Sequence, residues 1–121
     1  MPRIEAAGYE AFEVEGGTRL IRALEDHGVD ILHRCGGYAR CTTCRVEFQT
    51  GEPNRMTVAE RDKLREKELL GQARLSCQIA CDGDMRLRPL MTLEGSGLSD
   101  RGPAPAPEIT PTPEWTSVPA E

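Results

Sequence analysis

The sequence predicts a small α+β domain followed by a proline-rich tail, and three observations carry that prediction. Several short stretches alternate apolar and polar residues with the period of two of a half-buried strand. Two stretches carry helix-start signals. Near Gly95 the composition changes abruptly, and six of the nine prolines (Pro103, Pro105, Pro107, Pro111, Pro113 and Pro119) lie beyond it.

Taken in order, residues 3–6 add a short first strand. Phe12 and Val14 alternate with Glu13 and Glu15 in a second, and Gly16–Gly17 makes a turn. Thr18 is the predicted N-cap of a helix over 19–27, with Leu20, Ile21 and Leu24 inward and Gly28 past its end. His27 closes this helix, where a partial positive charge is favourable, and is read as structural. Val46 and Phe48 alternate with Glu47 and Gln49 in a strand closed by Gly51 and Pro53. Thr57 and Glu60 match a capping box that starts a helix to about residue 68. Its four acids and four bases read as a solvated face laced with pairs such as Glu60–Lys63 and Asp62–Arg65, or as a partner-docking face. Leu75, Cys77 and Ile79 share one face of a further strand, Asp82–Gly83 turns the chain, and Met85 and Leu87 begin a last strand limited by Pro89.

A chain of 121 residues supports one domain with a modest core, and 4% aromatics make that core aliphatic. The net charge of −5 argues against nucleic acid as a partner. No apolar run approaches the ~18 residues of a membrane span, and the first residues lack a signal region. The expected location is the cytoplasm, where thiols stay reduced. The domain is expected to occupy residues 1–94. Residues 95–121 form the tail, with four acids and one base, so they hold −3 of the charge while the domain holds sixteen acids and fourteen bases, −2. Such a tail buries too little apolar surface to offset its ordering entropy and is expected to be disordered. It is a solubilising extension or a docking string, with Ile109, Trp115 and Val118 as its apolar points.

The stretch RCGGYARCTTCRVEF, residues 34–48, concentrates the chemistry. The cysteine spacing is Cys35-x5-Cys41-x2-Cys44-x32-Cys77, with Cys81 close behind. Five cysteines in a reducing compartment fit a disulfide framework poorly. A redox dithiol at Cys41 and Cys44 belongs at a helix start after a strand, whereas a strand follows here. A four-thiolate zinc site usually pairs two short knuckles, and Cys77 has only Cys81 nearby. A Rieske centre needs two histidine ligands in a pattern this chain lacks. A four-thiolate [2Fe–2S] site carries about −2 charge when oxidised and −3 when reduced, so its loop must supply donors and cations. Gly36 and Gly37 allow backbone N–H groups to turn inward, Thr42 and Thr43 offer hydroxyls, and Arg34, Arg40 and Arg45 add positive charge. Cys81 reads as a buried apolar filler, or a reserve ligand or reactive thiol, and His33 as a solvated loop histidine.

These residues resemble the [2Fe–2S] ferredoxins over about residues 3–92. Five residues separate the first two cysteines, as in the adrenodoxin-like branch and many bacterial ferredoxins. CTTCR and RLSCQI are similar to that branch, and CGGxxxCxxC to bacterial ferredoxin modules. The resemblance implies a β-grasp fold, a mixed sheet with one main helix, and a [2Fe–2S] cluster held by Cys35, Cys41, Cys44 and Cys77. It implies a monomeric one-electron carrier rather than an enzyme, with a flavoprotein reductase as donor and an oxygenase, a P450 or a cluster-assembly system as acceptor. The alternatives are a zinc-stabilised interaction module and an adaptor docked through its tail.

Overall fold

The computed structural model describes residues 1–33, 36–39, 42–92, 102 and 105–117. Its centre is a five-stranded mixed sheet. β1 (Arg3–Ala6) pairs antiparallel with β2 (Phe12–Glu13) and parallel with β6 (Met85–Pro89). β3 (Arg45–Thr50) lies antiparallel to β6 on one side and to β5 (Arg74–Leu75) on the other, giving the order β2-β1-β6-β3-β5. This is the β-grasp arrangement, with helices α1 (Leu20–Asp26) and α2 (Val58–Glu66) added to it.

The period-two reading holds. In β1 Ile4 and Ala6 are buried, and in β6 Met85 and Leu87 are buried while Arg86 and Arg88 face water. On the wet face Arg86 pairs with Glu5 at 2.8 Å and Arg88 with Glu47 at 3.3 Å; exposed pairs of this kind contribute little. Between β3 and β6 the register shifts near Phe48 and Thr50, and Gly51 follows at φ 77°. A Cβ on Gly51 would lie 2.1 Å from the Asp84 carbonyl oxygen, so this close approach requires glycine.

Helix α1 buries Leu20, Ile21, Ala23 and Leu24, each large aliphatic side chain contributing about 1.5–3 kcal/mol of transfer free energy. It ends as expected: Gly28 at φ 85° lets Val29 N–H reach the Leu24 carbonyl and Gly28 N–H the Glu25 carbonyl. His27 stacks on Phe12 with ring centroids 4.1 Å apart. The start of α1 differs from the expectation. Thr18 spends its hydroxyl on the Glu15 carbonyl at 2.7 Å, and the N-cap is Arg19, which makes no side-chain cap. The reason is tertiary, because residues 17–20 run beside 79–81. Leu20 N–H donates to Ile79, Cys81 N–H to Thr18, and Gly17 N–H to Cys81.

Helix α2 starts as the capping box predicts, with Glu60 N–H donating to Thr57 Oγ1 at 3.0 Å. Its surface pairs are Lys63–Glu66 and Arg61–Asp62 rather than those expected. Glu60 is fully buried: it accepts from Arg74 Nε at 2.8 Å, Arg74 Nη2 at 3.2 Å and Leu75 N–H at 2.8 Å. Burial pushes the Glu60 carboxyl above the usual carboxylate range, against the pull of Arg74 and Leu75.

The tail differs most from the sequence reading. Residues 105–117 lie against the domain, and β7 (Trp115–Ser117) pairs antiparallel with β4 (Arg55–Thr57) as a second, two-stranded sheet. The Arg55 guanidinium sits 3.9 Å from the Trp115 ring centre. Residues 93–101, 103, 104 and 118–121, Val118 among them, lie outside the described residues.

Candidate metal centre

Two of the four expected ligands, Cys35 and Cys41, lie outside the described residues, as do Arg34 and Arg40. The other two come together. Cys44 ends the loop just before β3, and Cys77 stands in a single 3-10 turn, Ser76–Gln78, that follows β5. The sequence expects Cys77 on a continuous strand. The turn replaces it because Ser76 folds back, giving both its N–H (3.2 Å) and its hydroxyl (2.8 Å) to the Cys44 carbonyl. Cys44 and Cys77 are thereby fastened side by side, both buried.

The loop that leads into Cys44 has an unusual backbone. Gly36, Gly37, Ala39 and Thr42 all have positive φ, at 73°, 92°, 59° and 56°. Glycine adopts this freely; for Ala39 and Thr42 the left-handed conformation costs about 1–2 kcal/mol each, so their surroundings must hold them. Arg45 holds Thr42, donating Nε to its carbonyl at 2.9 Å and Nη2 to its hydroxyl at 2.7 Å. Left-handed residues set beside right-handed ones or in turns can aim N–H groups at an anion. Tyr38 stands out from the loop, 46% exposed.

One residue on the loop's inner side carries no motif signal. Arg19 is 2% exposed, and its guanidinium reaches the Cys77 carbonyl at 2.8 Å and the Gly37 carbonyl at 2.6 Å. Its position, where a helix start favours a small polar cap, is the one hint the sequence offers. His33 is also misread from sequence: it is buried, with Nε2 2.9 Å from Glu25 Oε2 on α1. Cys81 is fully buried beneath residues 17–18, as the filler reading expects, and burial, with Asp82, pushes its thiol up to about 12.

Two buried thiols, a loop with left-handed backbone and two guanidinium groups hydrogen-bonded into that backbone suit an anionic iron–sulfide cluster held by thiolates. The chain matches the profile of the 2Fe-2S iron-sulfur cluster binding domain over residues 4–82. It is 32% identical over 119 residues to terpredoxin of a Pseudomonas species, covering 88% of this chain and 100% of that one. It is 32% identical over 78 residues to a subunit of the Na(+)-translocating NADH-quinone reductase of Shewanella denitrificans, covering 64% of this chain and 19% of that one. The chain thus spans about a fifth of the length of that reductase polypeptide. Among solved structures, the ISC-like [2Fe-2S] ferredoxin of Pseudomonas putida JCM 20004 superposes with a TM-score of 0.61 at 26% identity, over 73% of this chain and 91% of that one. The chain therefore belongs to the family of 2Fe-2S iron-sulfur cluster binding domains, and its cofactor is a [2Fe–2S] cluster.

Proposed function

We propose that this chain is a one-electron shuttle, not an enzyme, that holds its cluster through Cys35, Cys41, Cys44 and Cys77. The observation that carries the reading is the family match across residues 4–82, which contains all four cysteines, with Cys44 and Cys77 buried together through Ser76. When bound, the cluster supplies a centre that takes up and returns one electron. The chain does the rest. Cys44 and Cys77 are kept from bulk water, which strengthens every electrostatic contact around them. Arg19 and Arg45 set positive charge in the shell of the loop, favouring the more negative reduced state. Tyr38 places an aromatic ring on the loop's outer surface, where a redox partner would meet it.

On this reading residues 1–94 form the cluster-binding unit and residues 95–121 an appended segment. The donor is a flavoprotein reductase, and likeness to part of an NADH-quinone reductase supports that side. The acceptor is an oxygenase, a P450 or a cluster-assembly system. The carrier acts as a monomer in the cytoplasm; among the described residues no helix is long and apolar enough to cross a membrane. The full chain purified in air should be coloured, contain iron and sulfide in equal amounts, and bleach with one electron equivalent of dithionite per chain. A colourless protein that carries zinc would overturn the reading in favour of a zinc-stabilised interaction module.

A further inference from the structure

We propose that Arg19 and Gln78 are positioning residues for the cluster, and that tail residues 105–110 complete the unit as a strap that holds both in place. The proposal rests on the reading of Cys77 as a ligand.

Gln78 is fully buried beside that cysteine, and its Nε2 lies 3.6 Å from Cys77 Sγ, 3.3 Å from the Gly37 carbonyl oxygen and 2.7 Å from the Thr110 carbonyl oxygen. All three neighbours are acceptors, so the amide must present its NH2 group to them; the flipped amide would place its oxygen against three acceptors. The other end agrees, since Thr57 Oγ1 donates to Gln78 Oε1 at 2.7 Å. The donor aimed at the sulfur is therefore set by three contacts, one from the loop, one from the cap of α2 and one from the tail.

Arg19 ties the same partners together. Besides Cys77 and Gly37, it donates Nη1 to the carbonyls of Ala106 at 2.8 Å and Glu108 at 2.9 Å, and Nη2 to Thr110 Oγ1 at 3.3 Å. Arg22 adds a bond to the Pro105 carbonyl at 2.9 Å. Packing at the junction is tight: a Cβ on Gly37 would stand 2.6 Å from Arg19 Nη2 and 3.1 Å from Pro105 Cβ. Farther along, Val58 N–H donates to the Glu114 carbonyl, and the β4–β7 pairing fixes the end of the strap.

An N–H donor to a ligand sulfur stabilises the added negative charge of the reduced cluster and raises its potential. A strap that keeps Gln78 and Arg19 in place therefore tunes the carrier from the far end of its sequence. The chain's one tryptophan, Trp115, reports on the strap.

The test uses the full chain as Gln78→Met, Arg19→Gln, Arg19→Lys and Cys77→Ser, with the visible spectrum, the midpoint potential and Trp115 emission as readouts. Gln78→Met should keep its visible bands and shift its electron-exchange equilibrium with a reference dye toward the oxidised protein by about tenfold, or about 59 mV for a one-electron couple. Arg19→Gln should shift the same way and move Trp115 emission to longer wavelength. Arg19→Lys should recover part of the potential but not the emission, because charge returns without the branched donors. If Gln78→Met takes up no cluster, the Arg19 pair decides. Electron-exchange equilibria within twofold of the parent in Gln78→Met and Arg19→Gln, with the cluster lost in Cys77→Ser, would overturn the positioning role and leave the ligand reading standing. A normal cluster in Cys77→Ser would remove the ligand reading and this inference together.

Discussion

Glu60→Ala isolates the buried pair that supports the Cys77 turn. Glu60 has no exposed surface, and its carboxylate serves two Arg74 nitrogens and the Leu75 N–H, two residues before Cys77. For Arg74, burial works against the charge, but the hydrogen bonds and charge of Glu60, with help from Glu52, hold its guanidinium above the ordinary value. Removing the carboxylate strands a 4%-exposed cation whose nearest remaining carboxylate is Glu52 at 3.3 Å, itself half in water. Breaking one side of a buried pair typically costs about 3–5 kcal/mol. The orphaned Leu75 N–H, at about 1–3 kcal/mol, is one part of that cost rather than an addition to it. For a chain of this size the loss corresponds to roughly 10–20 °C in melting temperature. The assay is thermal unfolding of the cluster-loaded protein by far-ultraviolet circular dichroism, with visible absorbance followed in parallel. Visible colour should be lost before or with the backbone signal, because the 3-10 turn hangs from this pair. Arg74 also donates to the carbonyls of Pro53 at 2.8 Å and Arg55 at 2.9 Å, so Glu60→Met with Arg74→Met should recover only part of the loss. A Glu60→Ala protein melting within 3 °C of the parent would refute the argument.

Four further outcomes follow from the same geometry. Serine at Cys35, Cys41, Cys44 or Cys77 should abolish the normal visible spectrum, whereas Cys81→Ser should keep it, as read by absorbance and iron content. The potential should lie above the plant-type value of about −400 mV, and Arg40→Gln or Arg45→Gln should each lower it by some tens of millivolts; two unchanged potentials in a redox titration would remove the electrostatic account. Because the Cys81 thiol is raised to about 12 from 9.0, its contribution to stability is complete below pH 9 and is lost as pH rises toward 12, of order 4 kcal/mol at most; urea midpoints should fall across that window in the parent and less steeply in Cys81→Ser. Glu68 occupies the left-handed position that ends α2, at φ 58°, so Glu68→Gly should raise the melting temperature by a few degrees, about 1 kcal/mol.

What the sequence made legible was what neighbours in the chain decide. The Gly28 terminus of α1, the Thr57 cap of α2 and the alternation in β1 and β6 depend on residues within a turn or two, and each stands where its signal lies. The larger misreadings at Glu60 and Arg19 share another cause, since each concerns a charged side chain whose partner is distant. Glu60 meets Arg74 fourteen residues on, and Arg19 meets Thr110 ninety-one residues on. The cysteine spacing is a third kind of signal, since four thiols at these intervals suit few chemistries.

The tail follows a different physical rule from the one used to read it. Its poverty in apolar residues argues that it cannot bury enough surface to fold, and for apolar burial that argument stands. Proline, however, removes N–H donors and keeps carbonyl acceptors, so a segment such as residues 103–113 has acceptors in excess. Its natural complement is a side chain that only donates, and arginine offers five N–H groups in a rigid fork. The domain presents such donors at Arg19 and Arg22, with the Gln78 amide beside them, and the strap's carbonyls from Pro105, Ala106, Glu108 and Thr110 meet them. A tail that docks through hydrogen bonds rather than apolar area leaves little trace in a hydrophobicity pattern. Its trace lies in the domain, as an arginine buried where a helix should begin with serine or threonine.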